Sequence, residues 1–584
     1  MTARRIRDEA PAVGGMSYRL PAALDGEVAA TLEQLRASGV VRRLWARDAS
    51  LWTDHDESGW LDWLTIAAGE RADANGLVAF AERARHELDH VVVLGMGGSS
   101  LCAEVLARTF GRVEGWPELH VLDSTDPAQI RTMEARIEIA KTLFIVSSKS
   151  GTTLEPNLLC DYFFDRVRRS VDGSQPARHF VAVTDPGSAL QDLAERQNFA
   201  HVFFGIPGIG GRYSALSNFG MVPAAMMGLD VRRFLDRASV MVQACASSVP
   251  PERNPGALLG VILATSARAG CDKVTLVTSP GIASFGAWLE QLLAESTGKE
   301  GKGIIPVDGE SLGAPEVYGC DRLFAYLRLD GAPDLQQDAA VRALEEAGHP
   351  VVRIGLGGTH DLGQELFRWE IATAIAGAIL GINPFNQPDV EASKVAARNL
   401  TDAYEKAGAL PTETPFFQEG PVALFADERN RVALEKTVGT DRTLHGYLRA
   451  HLKRLARGDY FALLAYLERN AAHERQLQTI RRKIRESHGV ATCIGFGPRY
   501  LHSTGQAYKG GPNSGVFLQL TCNDVEDLPI PGHRFTFGVV MDAQARGDFR
   551  VLAERGRRAL RVHLGADVAR GLDLLYAAIE RVLT

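Results

Sequence analysis

The sequence predicts an α/β protein in which helices cover both faces of parallel sheets. Short β-branched runs recur along the chain, most of them end in small residues, and most are followed by a helical stretch. Strands that alternate with helices indicate βαβ units and hence parallel sheets. The length of 584 residues leaves room for two to four domains, and the composition, 45% hydrophobic and 23% charged, is that of a globular protein.

Taken in order, these elements divide the chain into four parts. They are a helical N-terminal arm, a first α/β subdomain, a second and smaller α/β subdomain, and a mixed C-terminal extension, at residues 1–88, 89–245, 255–400 and 401–584. Residues 1 to about 15 are predicted to be a flexible lead, and helical periodicity begins at Ser17. In the C-terminal part we expect a charged helical stretch over Tyr447–His488, a Gly-rich segment, a strand at VFLQLT and a basic amphipathic helix at the end.

Charge and cysteine usage exclude several classes of partner. The net charge of −7 argues against nucleic acid or an anionic membrane, because both require a broad basic surface. The seven dispersed cysteines form no CxxC pair, which indicates free thiols in a reducing compartment and no structural zinc. The polar N-terminus lacks the apolar core of a signal peptide, and no apolar run is long enough to span a membrane. We therefore expect a cytoplasmic protein.

A glycine-serine loop follows the first predicted strand. Gly97 and Gly98 allow close approach of the backbone to an anion, and Ser99 opens a helix whose free N–H groups carry partial positive charge. The alternatives are a turn without a ligand or a dinucleotide-binding loop, with Asp123 in the place of the ribose-binding acid. However, a serine stands where the third glycine of that fingerprint would be.

A second loop, after the third predicted strand, is richer in hydrogen-bond donors. It contains Ser148, Lys149, Ser150, Thr152 and Thr153. Hydroxyl groups at a helix start can surround a phosphomonoester, although such residues also form ordinary turns and helix caps. Because the carboxyl ends of parallel strands meet at one edge of a sheet, the two loops together predict a single phosphate pocket.

Five separated motifs, in order, resemble a known family. The segments VLGMGGSSL and SSKSGTTLEP are similar to the sugar isomerase (SIS) fold, which implies two flavodoxin-like subdomains. The segments GGRYSALSNFG (210–220), EQLLAESTGK (290–299) and INPFNQPDVEASK (382–394) narrow the resemblance to the glucose-6-phosphate isomerase family. The remainder resembles the isomerase half of fused transaldolase–glucose-6-phosphate isomerase proteins, without a transaldolase barrel.

The resemblance implies a role for individual positions. Ser99 and the hydroxyl loop match the positions that hold the phosphate. Arg212 matches the arginine that faces an enediol intermediate, and Lys394 matches the lysine near the sugar-ring oxygen. Gln291 and Glu295 match the family's glutamine and catalytic base; they lie one helical turn apart, so both project from the same face.

The implied reaction is an aldose–ketose isomerisation, which suits these residue types. One carboxylate, Glu295, can remove a proton from C2 and return it to C1, because the intermediate is a planar cis-enediol. A fixed guanidinium, Arg212, can stabilise the developing oxyanion. The route requires no metal or other cofactor, and the ligand spacing of a metal-dependent isomerase is missing.

The histidine that opens the sugar ring is ambiguous in the sequence. The family carries it in an HxxxQ motif between the Glu and Lys motifs. His360 has that order in the chain, but it falls on the segment leading into a long helix. His502 matches the motif better, although it follows Lys394. We favour His502, with the C-terminal extension packing back onto the active site.

Other functions are less consistent with the sequence. Another phosphosugar isomerase or a phosphosugar-binding module would keep the phosphate loops, but a binder could discard Glu295, Arg212 and Lys394. An NAD-dependent dehydrogenase is suggested only by the glycine loop and Asp123. The resemblance implies a homodimer, and the fused relatives suggest a functional link to a transaldolase.

Overall fold

The computed structural model describes residues 15–171 and 176–583. The flexible lead expected for residues 1–15 lies outside them except for its last residue. The N-terminal arm consists of β1 (Met16–Arg19), α1 (Ala22–Ser38), α2 (Val40–Trp45) and α3 (Ile66–Ala84). Strand β1 differs from the predicted helical start: it pairs antiparallel with a strand of the second subdomain and so lies at the edge of that sheet.

The first subdomain is a five-stranded parallel sheet with helices on both faces. Its elements are β2 (His90–Gly95), α4 (Leu101–Phe110), β3 (Glu118–Leu122), α5 (Pro127–Glu134), β4 (Thr142–Ser147), α6 (Leu154–Ser170), β5 (Phe180–Thr184), α7 (Ala189–Gln197), β6 (His201–Phe204), α8 (Asn218–Met226) and α9 (Val231–Ala244). The strand order β3-β2-β4-β5-β6 is the flavodoxin-like order. Strand β4 is buried throughout, which explains its unbroken apolar run.

The second subdomain repeats the arrangement on a smaller scale. Its elements are α10 (Pro255–Arg268), β7 (Lys273–Thr278), α11 (Phe285–Thr297), β8 (Ile305–Val307), β9 (Arg322–Leu329), α12 (Leu335–Glu346), β10 (Val351–Leu356), α13 (Leu362–Leu380) and α14 (Pro388–Ala407). The sheet order is β1-β10-β9-β7-β8, parallel except for β1. Helix α13 packs against α9, α10 and α11, and its core joins the arm and both subdomains.

The C-terminal part is a third α/β unit. Its elements are β11 (Phe417–Glu419), β12 (Val422–Phe425), α15 (Glu428–Val438), α16 (Leu444–Leu452), β13 (Tyr460–Tyr466), α17 (Ala471–His488), β14 (Ala491–Phe496), α18 (Gly505–Gly510), β15 (Gly515–Thr521), α19 (Phe537–Glu554), β16 (Arg558–His563) and α20 (Val568–Leu583). Strands β13 to β16 pair in parallel, and β11 and β12 extend the sheet antiparallel. The stretch Tyr447–His488, predicted to be helical, is helical at both ends in α16 and α17, but β13 lies between them.

These observations confirm the predicted α/β class with parallel sheets and a helical N-terminal region. Among the residues that the structure describes, no helix combines the length and the apolar character that crossing a membrane requires. The loops after β2 and β4 lie at the carboxyl ends of neighbouring strands, so the fold places them together at one edge of the first sheet.

Candidate functional site

A cavity of about 560 Å³ lies where the first two subdomains, the arm and the third unit meet. Its size is within the usual range for small-molecule sites. Of the residues proposed from the sequence, the cavity is lined by Gly97, Gly98, Ser99, Lys149, Ser150, Thr152, Thr153, Arg212, Gln291, Glu295, Lys394 and His502.

The loop after β2 requires glycines because its backbone passes close to neighbouring segments of the chain. A Cβ on Gly98 would lie 2.0 Å from the carbonyl oxygen of Gly211, the residue before Arg212. A Cβ on Gly97, whose φ is +55°, would lie 2.8 Å from Nε2 of Gln291. The loop after β2 therefore touches both segments that carry the charged groups of the site.

The hydroxyl loop after β4 is organised by its own side chains. Ser148 is buried; its hydroxyl accepts from the N–H of Gly151 at 3.2 Å and donates to Oγ1 of Thr153 at 3.3 Å. Ser148 is absent from the cavity lining, so it shapes the loop, whereas Ser150, Thr152 and Thr153 line the cavity.

The one cation of this loop already has a partner. Nζ of Lys149 forms an ion pair with Asp185, which follows β5, and donates to the carbonyl oxygen of Pro207 at 3.1 Å. Asp185 lines the cavity as well. The loop therefore offers hydroxyl donors with little net charge.

Glu295 stands at the centre of a buried polar cluster. It is 7% exposed, and its Oε2 accepts from Nε2 of Gln291 at 3.0 Å. Nη1 of Arg212 lies 3.6 Å from the other carboxylate oxygen. The same face of α11 thus presents a carboxylate and the amide that orients it, opposite a guanidinium.

Arg212 is held rigidly under the cavity. Its Nε donates to Oγ of Ser296 at 2.7 Å, and its Nη2 donates to the carbonyl oxygens of Pro384 and Asn386 at 2.7 and 3.0 Å. Lys299, from the same motif as Glu295, donates to Asn386 as well, through the backbone oxygen at 2.5 Å. Burial and then the nearby guanidinium lower the pKa of Lys299 well below its usual value.

His502 reaches the cavity from the third unit, through a short helical turn after β14. Its Nε2 lies 2.9 Å from Oε1 of Glu155, in the first turn of α6, and Nε2 of Gln544 donates to the same oxygen at 2.6 Å. The backbone oxygen of His502 accepts from Gln291 at 2.9 Å. The imidazole is therefore fixed to the first subdomain and its backbone to the second.

The glutamine of the HxxxQ motif anchors the third unit to helix α14. Oε1 of Gln506 accepts from the N–H groups of Asp389 and Val390 at 2.9 and 3.2 Å, and its Nε2 donates to Gly298 O at 3.0 Å. This contact positions α14, from which Lys394 reaches the cavity rim. Nζ of Lys394 lies 3.4 Å from Glu391, with the side chain 33% exposed.

Two residues considered from the sequence lie elsewhere. His360 is absent from the cavity lining, and its ring packs edge-on against Phe110, with centroids 5.0 Å apart. Asp123 forms an ion pair with Arg499 of the third unit at 2.5 Å, so its carboxylate has a structural partner.

Sequence reasoning missed several groups of the site. Asp56 and Trp60 of the arm, Asp185, and Glu155 with Gln544 all line the cavity. Glu155 stands directly after the hydroxyl loop, but an acid in the first turn of a helix is ordinarily a favourable partner of the helix dipole and gives no further signal. The roles of Gln544 and Asp56 depend on tertiary contacts alone.

The comparisons with known proteins agree with one another. Residues 78–310 match the sequence model of a family described as "Phosphoglucose isomerase". A "Probable glucose-6-phosphate isomerase" of Natronomonas pharaonis is 28% identical over 444 residues, which are 69% of this chain and 96% of the relative. A "Glucose-6-phosphate isomerase" of Thermosynechococcus vestitus is 30% identical over 346 residues, 53% of this chain and 65% of the relative.

Solved structures share the fold. A hypothetical protein from Thermus thermophilus superposes with a TM-score of 0.57 at 24% identity, over 66% of this chain and 99% of that one. A glucose-6-phosphate isomerase from Chlamydia trachomatis gives a TM-score of 0.52 at 23% identity, over 62% and 78% of the two chains.

The paired parallel sheets have the SIS type of α/β fold, and their donor-rich loops line the same cavity as the buried Glu295–Arg212 pair. Within that class, the family model and the relatives point to one family for the matched part of the chain. Over residues 78–310 the chain is similar to the phosphoglucose isomerase family, and proteins named glucose-6-phosphate isomerase are similar to it over longer stretches.

Proposed function

We propose that this protein interconverts glucose 6-phosphate and fructose 6-phosphate through a cis-enediol intermediate. The observation that carries the proposal is that Glu295, Arg212 and His502 line the same cavity as the hydroxyl loop. The relatives named above as glucose-6-phosphate isomerases support the choice of substrate.

Proton transfer is assigned to Glu295. Its carboxylate removes the proton from C2 of the open-chain aldose, and the electron pair of that bond enters the C1–C2 double bond while charge develops on O1. The same carboxylate returns the proton to C1; O2 becomes the carbonyl oxygen and its proton passes to O1. The hydrogen bond from Gln291 to Oε2 holds the base in place during both steps.

Charge stabilisation is assigned to Arg212. Four protein acceptors fix its guanidinium, so it does not need to reorganise when charge develops on the enediol oxygens. Its Nη1, 3.6 Å from Glu295, lies near the place where the base and the intermediate meet.

Ring opening is assigned to His502, with Lys394 assisting at the cavity rim. An imidazole can donate a proton to the ring oxygen at neutral pH, and Glu155 fixes its orientation. The phosphate is assigned to the loops that contain Ser99, Ser150 and Thr152–Thr153.

The test is conversion of fructose 6-phosphate by the purified chain in the presence of a chelator, with Glu295→Gln as the variant. We expect turnover to fall by at least about a hundredfold, the usual scale for loss of a positioned base, with little change in KM. Glu300→Gln, an exposed carboxylate in the next segment, is the matched control and should keep full activity. Near-normal turnover in Glu295→Gln would refute the assignment.

Three wider proposals rest on the family resemblance. We propose that the enzyme works in the cytoplasm, as a homodimer, with a functional link to a transaldolase. Glu295, Arg212 and His502 meet in the cavity of a single chain, so we expect dimerisation to stabilise the fold without supplying these groups. The test is to dilute the protein until the dimer dissociates. Constant specific activity would support a dimer that only stabilises the fold, whereas a loss of activity in proportion to the dissociated fraction would contradict it.

A further inference from the structure

Two histidines and a glutamate meet at the amino end of the first sheet, far from the cavity. His90 begins β2, and Glu118 and His120 lie on β3, the edge strand of that sheet. In the parallel register His90 is paired with Glu118, and Val92 with His120. Paired residues share a face of the sheet, and so do residues two apart on one strand. All three side chains therefore project from one face.

The donor atoms are close enough to share an ion. Nδ1 of His90 lies 3.2 Å from Nε2 of His120. One ligand atom from each of the three residues lies within 4.8 Å of the others. In a tetrahedral zinc site with bonds of about 2.0–2.1 Å, neighbouring ligand atoms are roughly 3.3 Å apart. The imidazole pair has this spacing already, and the exposed Glu118 side chain can approach by rotation.

We propose that His90, Glu118 and His120 form a binding site for a divalent transition-metal ion, Zn²⁺ in particular. Two imidazole nitrogens and one carboxylate oxygen are ligands that Zn²⁺ accepts, and water completes the four-coordinate shell. Both histidines are half-buried and Glu118 is exposed, so the ion can enter from solvent without any rearrangement of the sheet.

The site's position separates it from isomerisation. His90 and Gly95 are the two ends of β2, and at about 3.3 Å per residue the glycine loop begins roughly 20 Å from the ion. The ion therefore has no role in proton transfer. Its effect is to tie the edge strand β3 to β2, which stabilises the native sheet by an amount that grows with the free ion concentration relative to Kd.

The competing interpretation is a hydrogen bond between the two imidazoles without an ion. This interpretation does not require the Glu118 carboxylate, whereas a metal site requires it as a ligand. The two interpretations therefore differ in what the Glu118→Gln variant does.

The experiment is calorimetric titration of the chelator-treated full-length chain with Zn²⁺ alone. It uses a Cys320→Ser background, because Cys320 is an exposed thiol that lies beside Cys271 and could bind zinc itself. We expect one equivalent to bind, with affinity reduced at least about tenfold in His120→Asn and in Glu118→Gln. His86→Asn, an exposed histidine before β2, is the control and should bind as the parent does.

Two further readouts complete the test. Zn²⁺ should raise the thermal unfolding midpoint of the parent but not that of His120→Asn, and isomerase turnover should be equal in both. Unchanged zinc affinity in His120→Asn, loss in His120→Asn but not in Glu118→Gln, or no binding by the parent would overturn the proposal. Because turnover is measured separately, failure of the metal site is distinguishable from failure of the proposed function.

Discussion

Oε1 of Glu155 lies 2.9 Å from Nε2 of His502, although the two residues are 347 positions apart in the chain. Burial alone would raise the pKa of Glu155, but the charge of His502 and its hydrogen bond outweigh it and hold that pKa below its usual value. The carboxylate is therefore ionised near neutral pH and fixes one ring nitrogen of the histidine. The first subdomain therefore determines the orientation of the imidazole, although His502 itself belongs to the third unit.

Glu155→Gln tests this relationship. The amide keeps the shape but cannot stabilise a positive imidazolium, so we expect turnover of the closed-ring substrate to fall at least about tenfold with little change in KM. The fall should be much smaller with an open-chain analogue, because the imidazole acts only in ring opening. Asp161→Asn, on the same helix and 46% exposed, is the matched control. Equal losses for both substrates would assign Glu155 a purely structural role.

The two candidate histidines are separated by a pair of variants. His502→Asn should lower turnover of the closed ring by about a hundredfold, the usual scale for loss of a general acid. His360→Asn should leave turnover unchanged, because that ring packs against Phe110 outside the cavity. Steady-state rates with closed-ring and open-chain substrates measure both effects, and a larger loss in His360→Asn would reverse the assignment.

Much of the fold was predictable, because β-branched runs such as those of β2, β4 and β7 are unbroken and end in recognisable loops. The third unit was not. Strand β13 (YFALLAY) is buried on both faces and therefore shows no alternation, and it lies between two charged helices that made the whole stretch look helical. Strand β1 was hidden for a different reason: four residues are too few to establish a period.

The residues of the candidate site also divide into those that the sequence predicts and those that it does not. Residues within contiguous motifs, such as Glu295 and Arg212, could be located from sequence. Residues that act through long-range contacts could not: Gln544 is 389 positions from its partner Glu155. Ser148 shows a second limit of sequence-based prediction. Its hydroxyl bonds within its own loop and does not line the cavity, and the composition of the loop does not reveal this.

Gly98→Ala tests whether the glycine loop needs close backbone contact. The added Cβ would lie 2.0 Å from Gly211 O, so the loop and the Arg212 segment must separate. We expect KM to rise at least about tenfold and the free energy of unfolding to fall by about 1–3 kcal/mol, the usual cost of overpacking. Gly76→Ala, on α3 and outside the cavity lining, is the control, because its Cβ would meet nothing within 4 Å. Similar kinetics in the two variants would show that the contact is dispensable.

The last prediction concerns acid stability and His451, on α16. The ring is 0% exposed, and its Nε2 lies 3.0 Å from the carbonyl oxygen of Phe517 on β15. Burial, assisted by the charge of Arg454, lowers the pKa of His451 to about 3. The folded state thus keeps this histidine neutral, whereas the unfolded chain binds a proton at its ordinary pKa of about 6.5.

The stability that depends on the neutral form is fully present above about pH 6.5 and is lost as the pH falls from there toward the folded pKa. Near pH 5 the loss amounts to about 2 kcal/mol, at about 1.36 kcal/mol per pH unit. His451→Gln does not titrate, so the free-energy gap between wild type and variant, measured by urea unfolding, should shrink by that amount between about pH 7.5 and pH 5. A pH-independent free-energy gap would mean that the folded and unfolded states bind the proton equally well. The buried ring would then be charged at pH 5, and the carbonyl oxygen of Phe517 would have to stabilise that charge.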